Sequence, residues 1–351
     1  MRQEPASTPD IAVVLNGNAR SVTQEVVETM DQIIEAGSLF VSRRVEEVDS
    51  IAATLLDRGY DTVLTGGGDG TFTMVVSALW REARRRGCSM PRVGMLRLGT
   101  GNSLAWVIGA GQAAGSRSLS IDLQRLRRDA GSREAHLIEV GDMLTPFCGL
   151  GIDAVMLADY HATLARLGRA KRLLSGAPAY ALAAVTRTLP AYLLRPTPHC
   201  RVVNLGADAV RVGAAGKVLG GPIRRGSVIY EGPAKIAALS TIPFYGFGFR
   251  MFPYAEERAG RMQLRISNVS SSRFVKRFGE IFRGTYEDFS DTFDYLVEHV
   301  QLEVDPPTPF QVGGDEQGER ASVRAKVSEP VRLVDFYAPP RGRPPLDSDA
   351  S

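Results

Sequence analysis

The run Gly66-Gly67-Gly68-Asp69-Gly70-Thr71 is the sharpest chemical signal in this 351-residue chain. It follows the short apolar run Thr62-Val63-Leu64. It precedes Phe72, Val75, Val76 and Leu79 at helical spacing, so a glycine-rich turn opens a helix at the carboxyl end of a strand. Such a turn lets an anion reach bare backbone N–H groups, and the helix N-terminus adds partial positive charge. A plain anion cradle would avoid an acid. Asp69 therefore points to phosphates that carry Mg²⁺, with its carboxylate organising the ion or its waters. No Gly-Lys-Ser/Thr follows, so the run is not a P-loop, and it is not the GxGxxG of dinucleotide folds.

A second run, Leu98-Gly99-Thr100-Gly101-Asn102, ends the next strand, and Asn16-Gly17-Asn18 ends the first. Loops leaving the carboxyl ends of neighbouring parallel strands converge on one crevice. There Gly67, Gly68, Asp69, Gly70 and Thr71 would hold phosphates, while Gly99, Thr100, Asn102 and Asn16 would complete the nucleotide site.

The elements that must position these loops alternate strand with helix. Ile11–Leu15 reads as a buried parallel strand, residues 39–41 as a second, 62–64 as a third and 93–96 as a fourth. Val22, Val26, Met30 and Ile33 mark a helix face, with Ser21 and Gln24 spaced as a capping box. Val48, Ile51, Ala52, Leu55 and Leu56 mark another, closed by Gly59. Strands alternating with helices imply a mainly parallel sheet covered on both faces.

After about residue 130 the pattern becomes β-rich. Met262, Leu264 and Ile266 alternate with Gln263 and Arg265. Gly206-Ala207-Asp208 reads as a hairpin turn between strands at 201–205 and 210–212. One helix is expected within 164–194 and one at 274–282. The expected fold class is therefore α/β plus β. A nucleotide-binding domain spans 10–130, completed by returning strands within 322–337. A β-sandwich-like domain spans 131–321, and 339–351, rich in proline, forms a disordered tail.

Composition bounds the partners. The apolar fraction is 44%, the charged fraction 23% and the net charge +3. These values fit a folded chain and give no reason to expect nucleic acid. Cys88, Cys148 and Cys200 are too far apart for a CxxC site, and His136, His161, His199 and His299 have no metal-ligand spacing. No apolar run is long enough to cross a membrane, and the first residues lack the apolar core of a signal peptide. A cytoplasmic location is expected, with peripheral contact at the inner face of the membrane.

The order Asn16-Gly17, Gly67-Gly68-Asp69-Gly70-Thr71, Leu98-Gly99-Thr100-Gly101-Asn102 and Gly149-Leu150-Gly151-Ile152-Asp153-Ala154 resembles the diacylglycerol kinase catalytic-domain family, which includes sphingosine and ceramide kinases. The likeness runs from about residue 10 to about residue 335. The GGDGT run is shared with NAD kinases, and the later motifs turn the reading to lipid kinases. The resemblance implies an NAD-kinase-like nucleotide-binding domain and a β-rich domain, with ATP and Mg²⁺ between them and a lipid hydroxyl as acceptor.

Three departures stand out. Gly17 occupies the position of the family's proline. Ala259-Gly260 stands where the family has Asp-Gly. The family's late Asp-Gly-Glu, which supplies the base, is replaced by Val312-Gly313-Gly314-Asp315-Glu316. An ungapped match puts Gly313 on the base and Asp315 on the Glu, whereas deleting one position brings Asp315 and Glu316 onto the motif. A lipid hydroxyl needs a proton acceptor within hydrogen-bond reach. Asp315 occupies a motif position under either match and is the expected base, with Glu316 second.

The lipid side rests on Phe244-Tyr245-Gly246-Phe247-Gly248-Phe249 and Met251-Phe252-Pro253-Tyr254, which suit either an acyl groove or a core. Arg166, Arg169, Lys171, Arg172, Arg224 and Arg225 suit lipid headgroups or a solvated face. The expected partners are a lipid substrate and a transient membrane surface, and a homodimer is left open. A soluble-substrate kinase and a homologue without catalysis are the alternatives.

Overall fold

The protein, seen in a computed structural model, is described over residues 10–19, 21–99, 101–111, 116–127, 131–152, 154–155, 163, 166, 186, 197–246 and 248–337. Apart from Arg166 and Thr186, the helix expected within 164–194 lies outside the described residues, as do the tail 339–351, Thr100, Asp153, Arg169, Lys171 and Arg172.

The first part of the chain gives β1 (Ile11–Asn16), α1 (Gln24–Ile33), β2 (Leu39–Ser42), α2 (Glu47–Asp57), β3 (Thr62–Gly67), α3 (Asp69–Arg86), β4 (Arg92–Arg97), α4 (Ser103–Ile108) and α5 (Ser116–Arg127). It continues with β5 (Gly131–Ala135), β6 (Ile138–Val140), β7 (Met143–Thr145) and β8 (Phe147–Gly151). Next come β9 (His199–Asn204), β10 (Ala209–Val212), β11 (Val218–Ile223), β12 (Val228–Pro233), β13 (Ile236–Ser240) and β14 (Met262–Ser267). The remainder gives α6 (Ser271–Lys276), α7 (Phe278–Arg283), β15 (Thr292–Val297), β16 (His299–Val312), β17 (Asp315–Val327) and β18 (Val331–Asp335).

The first sheet has the order β2-β1-β3-β4-β18-β5 and is parallel except for β5. Every residue of β3 is buried, as expected for a strand with helices on both faces. Helix α3 buries Phe72, Val75, Val76 and Leu79. It ends on Arg84, Arg85 and Arg86, whose charges suit the C-terminal end of the dipole, and on Gly87 with φ 68. The start of α1 differs from the expected capping box. Thr23 is the cap, its hydroxyl accepting from the Val26 N–H at 3.3 Å, while Gln24 reaches forward to Glu28.

The second sheet has 12 strands, mostly antiparallel, in the order β11-β10-β15-β14-β13-β8-β16-β17-β6-β7, with β9 on both β12 and β16. Strand β16 divides it. Val300, Leu302 and Val304 lie on the part paired with β9, and Phe310 and Val312 on the part paired with β8. Both parts face one core, which also holds Cys148, Cys200, Val202, Leu239, Leu264 and Val297.

The strand partners differ from the expected domain limits at two places. Strand β5 belongs to the first sheet, and only β18 returns to it, because β17 stays in the second. The expected hairpin at Gly206-Ala207-Asp208 is absent: β9 pairs with β12 and β16, whereas β10 pairs with β11 and β15. The expected helix at 274–282 is the pair α6 and α7.

The alternation along β14 is not core against solvent. Gln263 and Arg265 are as buried as Met262 and Leu264. The Arg265 guanidinium makes a two-pronged pair with Asp294, 2.8 Å to each carboxylate oxygen, and Gln263 donates to Asp294 at 2.7 Å. Gln263 also accepts from the Tyr254 N–H at 2.7 Å. Removing one partner strands a buried charge. Asp294→Ala is expected to lower unfolding stability by about 3–5 kcal/mol, read from the urea midpoint. A shift below 1 kcal/mol would show the network to be dispensable.

Candidate active site

The GGDGT turn is built by close backbone approach. A Cβ on Gly99 would lie 2.1 Å from the Gly68 Cα, and one on Gly67 would lie 2.3 Å from the Thr71 hydroxyl. The loops after β3 and β4 therefore touch through glycines. Asn16 comes to the same edge, its amide donating to the Thr71 hydroxyl at 3.0 Å. Asn102 has φ 53, and its amide spans the loop, accepting from the Gly99 N–H at 2.9 Å and donating to the Gly99 carbonyl at 2.6 Å. Its amide is thus engaged in closing its own turn, where the sequence suggested a contact to ribose or phosphate.

Gly68 caps α3, so the first-turn N–H groups of Asp69, Gly70 and Thr71 have no carbonyl four residues back within the helix. Asp69 is 7% exposed and faces the start of α4. Its carboxylate accepts from the Ser103 N–H at 2.7 Å, the Ser103 hydroxyl at 3.0 Å and the Leu104 N–H at 3.4 Å. Burial nevertheless pushes its pKa from 3.8 up to about 6. The Ser103 and Leu104 hydrogen bonds oppose the rise, and the nearby Asp315 charge adds to it.

Asp315 reaches this turn from the other sheet. The β16–β17 hairpin turns on Gly313 (φ 58) and Gly314 (φ 87), a conformation open chiefly to glycine. The Gly313 N–H donates to the Phe147 carbonyl at 2.9 Å, and a Cβ on Gly313 would lie 2.1 Å from the Thr73 hydroxyl. The hairpin tip is therefore wedged against α3, and position 313 has no room for the family's aspartate. The next residue but one supplies the acid. The Asp315 carboxylate lies so close to Gly70 that an added Cβ would be 2.2 Å from its Oδ2. Glu316 is exposed, and strand alternation sends its side chain to the opposite face.

Two supporting contacts escaped the sequence reading. Ser103 holds Asp69 and also accepts from the Gly246 N–H at 2.6 Å. Gln311, fully buried, accepts from the Gly314 N–H at 2.9 Å and donates to the Tyr245 hydroxyl at 2.7 Å. An asparagine followed by a serine at a helix start is a signal that could have found Ser103. Nothing local marks Gln311. Tyr245 packs on Phe147 and Phe252, and Phe252, Met251 and Tyr254 are buried. Much of the aromatic stretch is thus core.

Among the described residues no group of three or more His, Cys, Asp or Glu could cage a metal. The residues present do fit Mg²⁺, which takes one or two carboxylates and completes its shell from phosphates and water. Asp69 is a buried acid whose charge is disfavoured, and no Lys or Arg pairs with it among the described residues. A cation beside Asp69 would relieve its buried charge.

Gly70→Ala tests the convergence. The clash falls on the mobile end of Asp315, so the chain should fold while the acid is displaced. Turnover is expected to fall about 10- to 100-fold, and the double variant with Asp315→Ala should be no slower than Asp315→Ala alone. An additive loss in the double variant would count against a shared role.

A glycine-walled anion cradle at the carboxyl edge of a parallel sheet, faced by two carboxylates, defines the site as one suited to phosphates. Residues 10–132 match the model of the diacylglycerol kinase catalytic domain. Over that stretch the chain is similar to the diacylglycerol kinase catalytic-domain family. It is 35% identical over 119 residues to diacylglycerol kinase theta of Homo sapiens and 33% identical to that of Mus musculus. The match covers 28% of this chain and 13% of each of these relatives. The fold extends further. A Bacillus anthracis str. Sterne structure described as a diacylglycerol kinase superposes with a TM-score of 0.59 at 10% identity, covering 94% of this chain and 98% of that one. A second, described as a candidate diacylglycerol kinase, gives 0.62 at 13% identity over the same shares.

Proposed function

We propose that the protein is a lipid kinase that transfers the γ-phosphate of ATP to a lipid hydroxyl, with diacylglycerol, a ceramide or a sphingoid base as the acceptor class. The observation that carries this reading is the meeting of Asp315 with the GGDGT turn, each contributed by a different sheet. The family match over 10–132 supports it.

In this mechanism the first-turn N–H groups of α3 hold the phosphates, and the helix dipole favours their charge. Ser103 keeps Asp69 fixed at the cradle. When bound, Mg²⁺ would be held at Asp69 and would neutralise phosphate charge there. Asp315 accepts the proton of the lipid hydroxyl as its oxygen bonds to the γ-phosphorus, and the bond from that phosphorus to the bridging oxygen of ADP breaks. Gln311 and the Gly313-Gly314 turn fix the strand that presents Asp315.

The test is γ-phosphate transfer from labelled ATP to a lipid panel presented in micelles and vesicles, with NAD as the soluble comparison. Labelled phospholipid is expected, at a higher rate from an interface than from dispersed monomer. Turnover of a soluble acceptor alone would establish the soluble-kinase alternative. Transfer to nothing would support a homologue without catalysis.

A further inference from the structure

Helices α6 and α7 contain no buried residue. Yet residues 271–283 carry Phe274, Val275, Phe278, Ile281 and Phe282, and Val275 is 61% and Phe278 50% exposed. Helices of a folded domain ordinarily spend their apolar side chains on a core. A contiguous apolar surface left open marks a contact with something else.

The rings form a row. Phe274 lies 5.7 Å from Phe278, Phe278 lies 5.8 Å from Phe282, and Phe282 stacks on Phe249 at 5.6 Å with an interplanar angle of 8°. The Phe249 N–H donates to the Gly246 carbonyl, and the Gly246 N–H donates to Ser103, which holds Asp69. The row thus runs from an exposed tip to the edge of the site.

Charge selects the occupant. Arg273 is engaged with Asp288 and Asp291, and Arg277 with Glu280. Lys276, Arg283 and Arg250 are exposed and make no ion pair among the described residues. Arg250 adjoins the end of α7, since a Cβ on Gly284 would lie 3.3 Å from its Cγ. An apolar tip ringed by cations suits an anionic bilayer surface. A second copy placed by a two-fold axis would set these cations against one another.

We propose that α6 and α7 dock the protein on an anionic bilayer, with Val275 and Phe278 entering the interface and Lys276, Arg283 and Arg250 over the headgroups. The purpose of such docking rests on the lipid-kinase reading, while its existence is measurable without catalysis.

The experiment is co-sedimentation of the full chain with vesicles of phosphatidylglycerol and phosphatidylcholine, against vesicles of phosphatidylcholine alone. The wild type should partition onto the anionic vesicles and less so at high salt. Lys276→Gln with Arg283→Gln should weaken partition by about tenfold, and Val275→Ser with Phe278→Ser by a similar factor of about ten. Neither pair should change phosphorylation of lipid in detergent micelles. The proposal is overturned if the wild type shows no preference for anionic vesicles. It is equally overturned if both folded pairs bind like the wild type, or if the substitutions abolish only self-association. Should the apolar pair fail to fold by circular dichroism, the charge pair decides alone. Absence of any lipid phosphorylation in micelles would sink the lipid-kinase reading and leave the vesicle result standing.

Discussion

Asp315→Ala is expected to lower turnover by about a hundredfold or more without weakening nucleotide binding. The two readouts separate because of where the acid lies. Its carboxylate rests on Gly70, at the positive end of α3. There it is placed to take a proton from an acceptor hydroxyl, yet its charge also opposes phosphate at the same helix end. Removing it takes away the base and relieves the repulsion, so ATP affinity measured calorimetrically should hold or improve. Glu316→Ala should change turnover by less than about threefold, because that side chain leaves the strand on the opposite face. Full activity in a folded Asp315→Ala variant would place the proton acceptor elsewhere. Inactivity of Glu316→Ala alone would exchange the two roles.

The second large effect is that of Asp69→Asn, expected to cut turnover by about a hundredfold or more while the metal-free fold changes its response to pH. Burial raises the Asp69 carboxyl from 3.8 to about 6. The folded state therefore holds this proton more tightly than the unfolded chain. Its contribution is fully favourable below about pH 4 and is lost as pH rises towards 6, a change of about 3 kcal/mol. The asparagine variant lacks that component of the slope. Urea titrations of both chains in chelator between pH 4 and 7 measure the difference. Parallel stability curves together with undiminished turnover would show that Asp69 is neither strained nor needed.

The cradle was legible in the sequence because all its determinants are local. Three glycines, an acid and a threonine between an apolar run and a helical face read directly as strand, turn and helix. The parallel strands at Ile11–Leu15, 62–64 and 93–96 were legible for the same reason. The opposing acid was ambiguous, because its place depends on a hairpin register. Gly313 and Gly314 both take positive φ, and that fixes Asp315, rather than position 313, over Gly70. The polar positions of β14 misled for a different reason. An alternation of period two says which side chains share a face, and it does not say whether a loop covers the other face. Here the Tyr254 loop does, and Gln263 and Arg265 are sealed with Asp294 beneath it. Thr23 displaced Ser21 as a cap because either hydroxyl could precede the same apolar face, and one residue pair decides it.

The insertion of β18 beside β4 constrains how the chain can be made. Strand β4 is complete by Arg97, whereas β18 emerges roughly 230 residues later, about 10 to 50 seconds at ordinary rates of synthesis. During that interval the nascent parallel sheet presents the β4 backbone as an open edge, a template for stray pairing. Excising the first domain would make that transient condition permanent. The two domains are thus sewn together by the order of the chain. The segment that forms the first sheet, expressed without Val331–Asp335, should aggregate, and adding that strand in cis through a short linker should restore a soluble fold.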